Sequence, residues 1–305
     1  MLSTILFCIL ALAETKTIQV QIALDRRGFS SNTIDGQWGR KSQSALKKFC
    51  NANNLPLPST PEEAYDLYFA NDPAPYGFDT VSAEEIKSLV TMPKDPADKA
   101  KLPRLDYTSI KEMYAERGHV SCRALERLNP TVNWSALTAG TRILLPDFPS
   151  IESDLARTKL ANPPAPKPYE ATLIRVSLSN FEISAFNSKG KILVVLPCSI
   201  ARDKTKIPQG ELKIVSMIPH PNYTYTPDFV PKGKKISKQI LPEGPRSPVG
   251  VAWIGLSLPG YGIHGTPTPE TIGRAESHGC FRLSNWNAAR LFSIARIGTR
   301  VIVEP

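Results

Sequence analysis

The stretch Thr172-Leu173-Ile174-Arg175-Val176-Ser177-Leu178, followed by Phe181 to Phe186 and Ile192 to Leu196, decides the fold of the C-terminal half. These short runs carry β-branched residues, and the last two are separated by a Ser188-Lys189-Gly190 turn. Such runs read as strands. Glu211 to Ile218, Val251 to Leu256 and Arg300 to Val303 read the same way. One helix is expected after Ser284: Trp286, Ala289, Leu291, Phe292 and Ala295 recur on one face, Ser284 or Asn285 can cap it, and Gly298 ends it. Many short strands and one helix predict a mainly-β, sandwich- or barrel-like domain over residues 170–305.

Ahead of this domain, Asn162-Pro163-Pro164-Ala165-Pro166-Lys167-Pro168 is a stiff segment prone to polyproline II, and residues 148–169 are set apart as a Pro-rich linker. Residues 105–147 carry apolar positions at Tyr107, Ile110, Met113, Tyr114 and Ala115. A second stripe runs through Ala124, Leu125 and Leu128, and Ile143-Leu144-Leu145-Pro146 closes the segment as a strand. Residues 61–104 read as a helical segment starting at Pro61-Glu62-Glu63-Ala64, then a linker rich in Pro, Lys and Asp. Residues 14–60 read as a small all-α domain: Val20, Ile22, Ala23 and Leu24 form one stripe, Gly28-Phe29 ends that helix, and Ser42, Ala45, Leu46 and Phe49 recur at helical spacing. Gln37 and Trp38, beside the Asp35-Gly36 turn, are its exposed candidates for ligand contact.

The whole is therefore multidomain: a small all-α unit, a small α+β unit and a mainly-β domain with one helix. The 305 residues include 28 prolines, which suits small modules joined by stiff connections. The net charge of +9 attracts polyanions. No run of Lys and Arg interleaved with aromatics points to nucleic acid, and none is expected as a partner. Residues 1–13 read as an export signal, with Leu2 to Ala13 almost wholly apolar and Ala11-Leu12-Ala13 in the small-x-small form of a cleavage site. The segment is too short to span a bilayer, and no stable membrane span is expected after its removal. Cys50, Cys122, Cys198 and Cys280 then remain, far apart and without CxxC pairing. The first three read as small buried hydrophobes rather than a disulfide framework.

Cys280 differs in its surroundings. Ile263-His264-Gly265-Thr266 and Ser277-His278-Gly279-Cys280-Phe281-Arg282-Leu283-Ser284-Asn285 place a thiol, two imidazoles and close glycines in one short stretch. A thiol attacks as thiolate, which a nearby imidazole can produce near neutral pH. Glycines beside it let a carbonyl approach the backbone and its N–H groups. The residues point to acyl transfer through a thioester. Zinc ligation by His264, His278 and Cys280 is disfavoured, because two of them lie only two residues apart and no fourth ligand is evident. No metal or other cofactor is implied. His119 and His220 lie in no such cluster and read as ordinary core or loop residues.

These motifs, with Ile207-Pro208-x-Gly210 and Gly244-Pro245-x-x-Pro248-Val249-Gly250, make residues 170–305 resemble the catalytic domain of YkuD-type L,D-transpeptidases. The series Val20-Gln21-x-x-Leu24, Gly28-Phe29, Ile34-Asp35-Gly36-x-Trp38-Gly39 and Ala45-Leu46-x-x-Phe49 resembles a small peptidoglycan-binding domain, with Ser42 and Cys50 departing from its usual Thr and Gln. Residues 105–147 resemble a LysM module, which implies an opening strand where Tyr107-Thr108-Ser109 stands in place of the usual Gly-Asp-Thr. The first resemblance implies Cys280 as nucleophile and His264 as base, with the Gly265 carbonyl orienting the imidazole. It implies the backbone N–H groups of Gly279 and Cys280 as oxyanion donors, with His278 shaping that pocket. Arg282 would hold a substrate carboxylate or brace its loop, Ser277 would be a structural hydrogen-bonder, and Asn285 a helix cap supporting the site. Tyr261 and Trp253 would line the substrate groove or belong to the core. The implied partners are peptidoglycan stem peptides and glycan strands, and the implied location is the periplasm or envelope of a bacterium. Transpeptidation, hydrolysis of the same acyl-enzyme by water, and non-catalytic wall binding remain open at this stage.

Overall fold

A computed structural model describes residues 16–157, 168–226, 238–277 and 279–305. The expected export signal and Cys8 lie outside the described residues, as do His278 and most of the Pro-rich segment. No described helix is long and apolar enough to cross a membrane.

The N-terminal half begins with helix α1 (Lys16–Arg26) and α2 (Arg40–Asn53). Helix α1 ends where Gly28 takes φ +85°, a conformation open to glycine, and the Phe29 N–H closes back on the Leu24 carbonyl at 2.9 Å. Short helical turns at Pro61–Ala64, Ala83–Ser88 and Pro96–Lys99 follow. Strand β1 (Tyr76–Thr80) pairs antiparallel with β2 (Arg142–Pro146), and helices α3 (Ile110–Arg117) and α4 (Cys122–Leu128) lie between them in sequence. The opening strand is thus not at Tyr107-Thr108-Ser109. Ser109 instead accepts a hydrogen bond from the Glu112 N–H and starts α3. The stretch read as helix and linker supplies the strand, because Tyr76-Gly77-Phe78-Asp79-Thr80 finds a partner only 62 or more residues away in sequence.

These N-terminal units are packed together. Ile18, Ile22 and Ile34 share one apolar cluster with Val81, Met113, Tyr114, Val120, Leu125 and Ile143. The opposite side of α1, through Val20 and Leu24, joins Phe29, Phe49 and Cys50 in a second cluster that also takes in Val195 of the C-terminal half. Trp38, expected at the surface, is half-buried against that cluster, while Gln37 is exposed. Cys50 and Cys198 are buried as expected; Cys122 is exposed at the start of α4.

The C-terminal half carries β3 (Leu173–Ser177), β4 (Glu182–Phe186), β5 (Ile192–Pro197), β6 (Ile200–Ala201), β7 (Gly210–Pro219), β8 (Tyr223–Tyr225), β9 (Gln239–Leu241), β10 (Ala252–Leu256), β11 (Gly262–His264), β12 (Ala275–Ser277), β13 (Phe281–Arg282) and β14 (Arg300–Glu304). Eight of them form one mixed sheet in the order β13-β11-β10-β7-β14-β3-β4-β5. The sheet turns on β7, whose first residues pair with β14 and whose later ones pair with β10. It is a single curled sheet, with the halves continuous through one long strand instead of stacked as separate layers. The small pairs β6–β12 and β8–β9 sit outside it.

Two helices serve this half, not one. Helix α5 (Ile151–Arg157) arises inside the segment read as linker and places Leu155 in the main core, packed on α6 (Asn285–Ile294). Helix α6 buries Ala289, Leu291 and Phe292 in that core, as its periodicity predicts, and Ala288 with them. Asn285, Trp286 and Asn287 are also buried, against the N-terminal half. Trp286 stacks on His119, with ring centroids 5.1 Å apart, and Asn287 donates to Ser30 Oγ at 3.1 Å. Arg290 pairs at 2.8 Å with Asp25, a carboxylate with no exposed surface. Burial alone would raise the Asp25 pKa, but Arg290 and His119 more than offset it and hold the group ionised.

The edge of the sheet is also covered. The Ser30 N–H donates to the Val195 carbonyl at 2.9 Å and the Val195 N–H to the Gly28 carbonyl at 2.8 Å, so the chain after α1 pairs with β5. At Gly28 a Cβ would lie 2.6 Å from the Leu193 carbonyl oxygen, and φ is positive. Gly28→Ala should therefore cost about 1–3 kcal/mol. The expected outcome is a lowered midpoint of thermal or urea unfolding; an unchanged midpoint would show that this contact does not hold the halves together.

Candidate active site

Strand β11 lies between β10 and β13 and fixes the site by register. Trp253 of β10 pairs with His264, and β13 runs parallel to β11 with Ile263 opposite Phe281 and His264 opposite Arg282. Because alternate residues share a face, His264, Trp253 and Arg282 stand together, and Cys280 falls beside Gly262 on the same face. The Trp253 ring stacks on the His264 ring at 5.6 Å between centroids, and its six-membered edge fills the space over Gly262, which has no side chain there. Trp253 is half-buried and acts as a wall behind the imidazole.

His264 is 6% exposed and its Nδ1 lies 2.7 Å from the Gly265 carbonyl oxygen. That contact assigns the proton to Nδ1 and leaves Nε2 with its lone pair. Burial lowers the His264 pKa to about 4, the Gly265 hydrogen bond opposes the shift, and the Arg282 charge adds to it. The ring is therefore neutral at neutral pH, which suits a proton acceptor. Cys280 is half-buried; burial raises its pKa and a hydrogen bond from the Gly262 backbone N–H opposes this. Its Sγ lies 3.6 Å from the Gly260 carbonyl oxygen, an acceptor for a thiol proton. At rest the thiol and the imidazole are both neutral.

Around the thiol, Ser277 Oγ donates to the Cys280 carbonyl at 2.6 Å and accepts from the Gly279 N–H at 3.3 Å. Ser277 thus ties the turn that presents the nucleophile. It also engages the Gly279 N–H, one of the two expected oxyanion donors. Among the described residues nothing accepts from the Cys280 N–H. Tyr261 is half-buried and packs over Gly279, where a Cβ would lie 2.9 Å from its ring. Arg282 pairs with Glu276 at 3.3 Å and so braces β13 against β12. His278 lies outside the described residues.

Asn285 is not a cap. Ser284 occupies the N-cap position without a side-chain cap bond, and Asn285 is the first helical residue, fully buried. Its Oδ1 sits against two backbone segments, and a Cβ at Gly250 or at Gly265 would come within 2.1 or 2.3 Å of it. Its Nδ2 donates to the Pro245 carbonyl and to Glu116 Oε2, each at 2.9 Å. Glu116 belongs to α3 in the N-terminal half and also accepts from the Tyr107 hydroxyl at 2.6 Å. A side chain 169 residues away in sequence thus holds the residue that packs against Gly265, the partner of His264. Nothing in the local pattern around Glu116 marks it; only the packing of α3 on α6 brings it there.

Residues 171–303 match the sequence model of the L,D-transpeptidase catalytic domain, YkuD. Two provisionally named L,D-transpeptidases, the YkuD proteins of Bacillus licheniformis and Bacillus subtilis, are each 29% identical to this chain over 183 and 185 residues. Those alignments cover 60% and 61% of this chain and 86% and 87% of the relatives. They are longer than the matched catalytic segment. The solved L,D-transpeptidase 3 of Mycobacterium tuberculosis aligns over 44% of this chain and 61% of its own, at 19% identity and a TM-score of 0.36. This chain thus spans about three-fifths of that structure. The C-terminal half therefore has L,D-transpeptidase catalytic domains as its homologues.

Two pH dependences follow from these groups. Glu116 is held by burial up to about 7, from an ordinary 4.5; the Tyr107 and Asn285 hydrogen bonds and Arg246 oppose this, and Glu112 adds to it. Its folded pKa is raised, so its contribution to stability is full below about 4.5 and is lost as pH rises through 7. The loss is at most about 3 kcal/mol. Urea midpoints taken from pH 4.5 to 8 should fall less steeply for Glu116→Gln than for the native chain; parallel profiles would exclude Glu116 as their source. Separately, alkylation of Cys280 by iodoacetamide, followed by peptide mass so that exposed Cys122 is counted apart, should rise continuously with pH and show no step at the ordinary imidazole value of 6.5. A step there would mean a preformed thiolate–imidazolium pair.

Proposed function

We propose that the protein is a peptidoglycan L,D-transpeptidase. The observation that carries this reading is the register of β11 against β13. It supports the reading by joining the segment of a half-buried thiol to the strand of a neutral imidazole whose Nδ1 is held by a backbone carbonyl, with Nε2 left free. A base of that kind takes the Cys280 proton as the sulfur closes on an acyl carbon. The charged pair then exists only while the substrate is present and water is excluded. The substrate carbonyl is that of the third residue of a stem peptide, at its L-centre, where a terminal D-alanine leaves. His264 returns its proton to the departing amine. A second amine, deprotonated by His264, then attacks the thioester and forms the crosslink. The Cys280 N–H is the oxyanion donor favoured by its lack of an acceptor among the described residues, with Gly279 contributing if substrate displaces Ser277 Oγ from its N–H. His278 is assigned to the same pocket. Arg282 braces its loop through Glu276, and Tyr261 lines the entry to the thiol. No cofactor takes part.

The N-terminal half is proposed to hold the enzyme to the wall through its peptidoglycan-binding-like helices and its strand–helix–helix–strand unit, which resembles a LysM module. The proposed location is the envelope or periplasm, reached by export on residues 1–13.

Incubation with disaccharide-tetrapeptides followed by product mass tests the reading. Crosslinked dimers are expected; tripeptides alone would assign the same thioester to hydrolysis, and unchanged substrate would leave wall binding without catalysis. A carbapenem should add once to the native chain and not to Cys280→Ala. His264→Ala should slow that acylation about 10²–10⁴-fold at neutral pH, with partial recovery as alkali makes the thiolate directly. An adduct on Cys280→Ala, or a pH-independent loss in His264→Ala, would overturn the assignment.

A further inference from the structure

The support behind His264 crosses from one half of the molecule to the other, and it rests on a buried carboxylate. The Gly265 carbonyl, which keeps the proton on His264 Nδ1, stands just past the end of β11, where the Gly265 N–H reaches the Ala252 carbonyl at 3.3 Å. That ladder bond is long, so the placement of Gly265 depends on what packs against it. Asn285 does so with its Oδ1, which also lies against Gly250. Oδ1 is buried and accepts no hydrogen bond among the described residues. The amide is therefore oriented by its other end alone, where Nδ2 donates to the Pro245 carbonyl and to Glu116 Oε2, each at 2.9 Å. A side-chain amide has two N–H bonds, and both are used here.

Glu116 is an uneconomical choice for a purely structural contact. It is 9% exposed and no ion pair joins it among the described residues. Arg246, from the segment after β9, is engaged by Glu112 one turn earlier on α3, and Arg117 by Asp79 and Glu85. The Glu116 oxygens instead accept from neutral donors, Oε1 from the Tyr107 hydroxyl at 2.6 Å and Oε2 from Asn285. Burial and the Glu116 charge push the Tyr107 pKa up, so this hydroxyl stays protonated. A neutral side chain of the same shape would cost less to bury. As a carboxylate, however, Glu116 accepts on both oxygens, and its bond from Asn285 is charge-assisted and so stronger than a neutral one. A proton on Oε1 is absorbed by rotation of the Tyr107 hydroxyl and leaves only a neutral bond to Asn285; a proton on Oε2 sets hydrogen against hydrogen. Either way the grip on the amide loosens. Burial favours the protonated acid, Tyr107 and Asn285 oppose it, Glu112 favours it and Arg246 opposes it, and the balance falls at about 7.

We infer that Glu116 is a positioning residue: as a carboxylate it fixes the Asn285 amide against Gly250 and Gly265, and so sets the Gly265 carbonyl that orients the His264 ring. The base is thereby tuned from α3, outside the matched catalytic segment, and is held best once Glu116 is ionised. Stability runs the other way, because the folded chain loses the contribution of a raised-pKa group over the same interval. A contact serving stability alone would show no such opposition. Its importance for acyl transfer rests on the proposed function; the coupling of Glu116 to the His264 ring does not.

The test uses the full chain labelled with nitrogen-15 at histidine, with His264→Ala identifying the His264 ring signals. Between pH 5.5 and 8, clear of the His264 value of about 4, those signals should shift with a midpoint near 7 in the native chain. Glu116→Gln keeps an acceptor for Asn285 and removes the titrating group, so the signals should stay flat, at the native low-pH position. Carbapenem acylation at pH 8 should be about threefold or more slower in Glu116→Gln, while the rates at pH 5.5 should match. Iodoacetamide alkylation of Cys280, which reads the thiolate and needs no base, should be equal in both chains. Signals that do not move in the native chain, a midpoint near 7 that persists in Glu116→Gln, or equal acylation rates at pH 8 in the folded variant would overturn the inference. If the native chain does not acylate, the ring signals decide alone, so failure of the proposed chemistry is read separately from failure of this coupling.

Discussion

Helix α6 is buried on two sides, and the architecture depends on that constraint. One side packs into the curled sheet through Leu291 and Phe292. The other presents Asn285, Trp286, Asn287 and Arg290 to Glu116, His119, Ser30 and Asp25. A buried carboxylate tolerates this only because a guanidinium and an imidazole stand against it, and burial of such groups without partners costs several kcal/mol. The contacts are directional. They therefore set how the N-terminal half sits on the sheet more strictly than an apolar surface of equal area would.

The same interface reaches the candidate site. Asn285 is wedged against Gly250 and Gly265, and Gly265 supplies the carbonyl that directs the His264 ring. Support for the imidazole thus comes from α3, outside the segment that matches the L,D-transpeptidase catalytic domain. The site's electrostatics have a related origin. Desolvation keeps both His264 and Cys280 uncharged at rest.

Much of the C-terminal half was legible in the sequence. Strands at 172–178, 181–186, 192–196 and 211–218 and the helix after Ser284 reappear within a few residues, because β-branched runs and 3.6-residue periodicity report local burial directly. That Cys280 and His264 belong to neighbouring segments was legible as well, since Cys280 immediately precedes the short strand that pairs with the strand carrying His264, within one contiguous stretch. Less was legible in the N-terminal half. Strand β1 is half-exposed, and its partner lies far along the chain, so its pattern resembled a linker. Helix α5 is one short element with a single fully buried apolar residue, Leu155, set beside a proline-rich segment. Asn285 looked like a cap because Asn is common there, and its burial depends on a carboxylate that no local rule connects to it.

By itself the sequence determined which residues are strand or helix formers, where the chain must turn, and that one cysteine stands among imidazoles and glycines. These are properties of neighbours along the chain, and local sterics and burial periodicity are enough to express them. Only the tertiary structure decided that the eight strands make one curled sheet, that the N-terminal units share cores with each other and reach Val195, and that Glu116, Asn285 and Gly265 form a support behind His264. Those outcomes depend on pairing groups from tens to more than one hundred residues apart. Their energy lies in register and in desolvated polar contacts, which exist only once the chain has closed on itself.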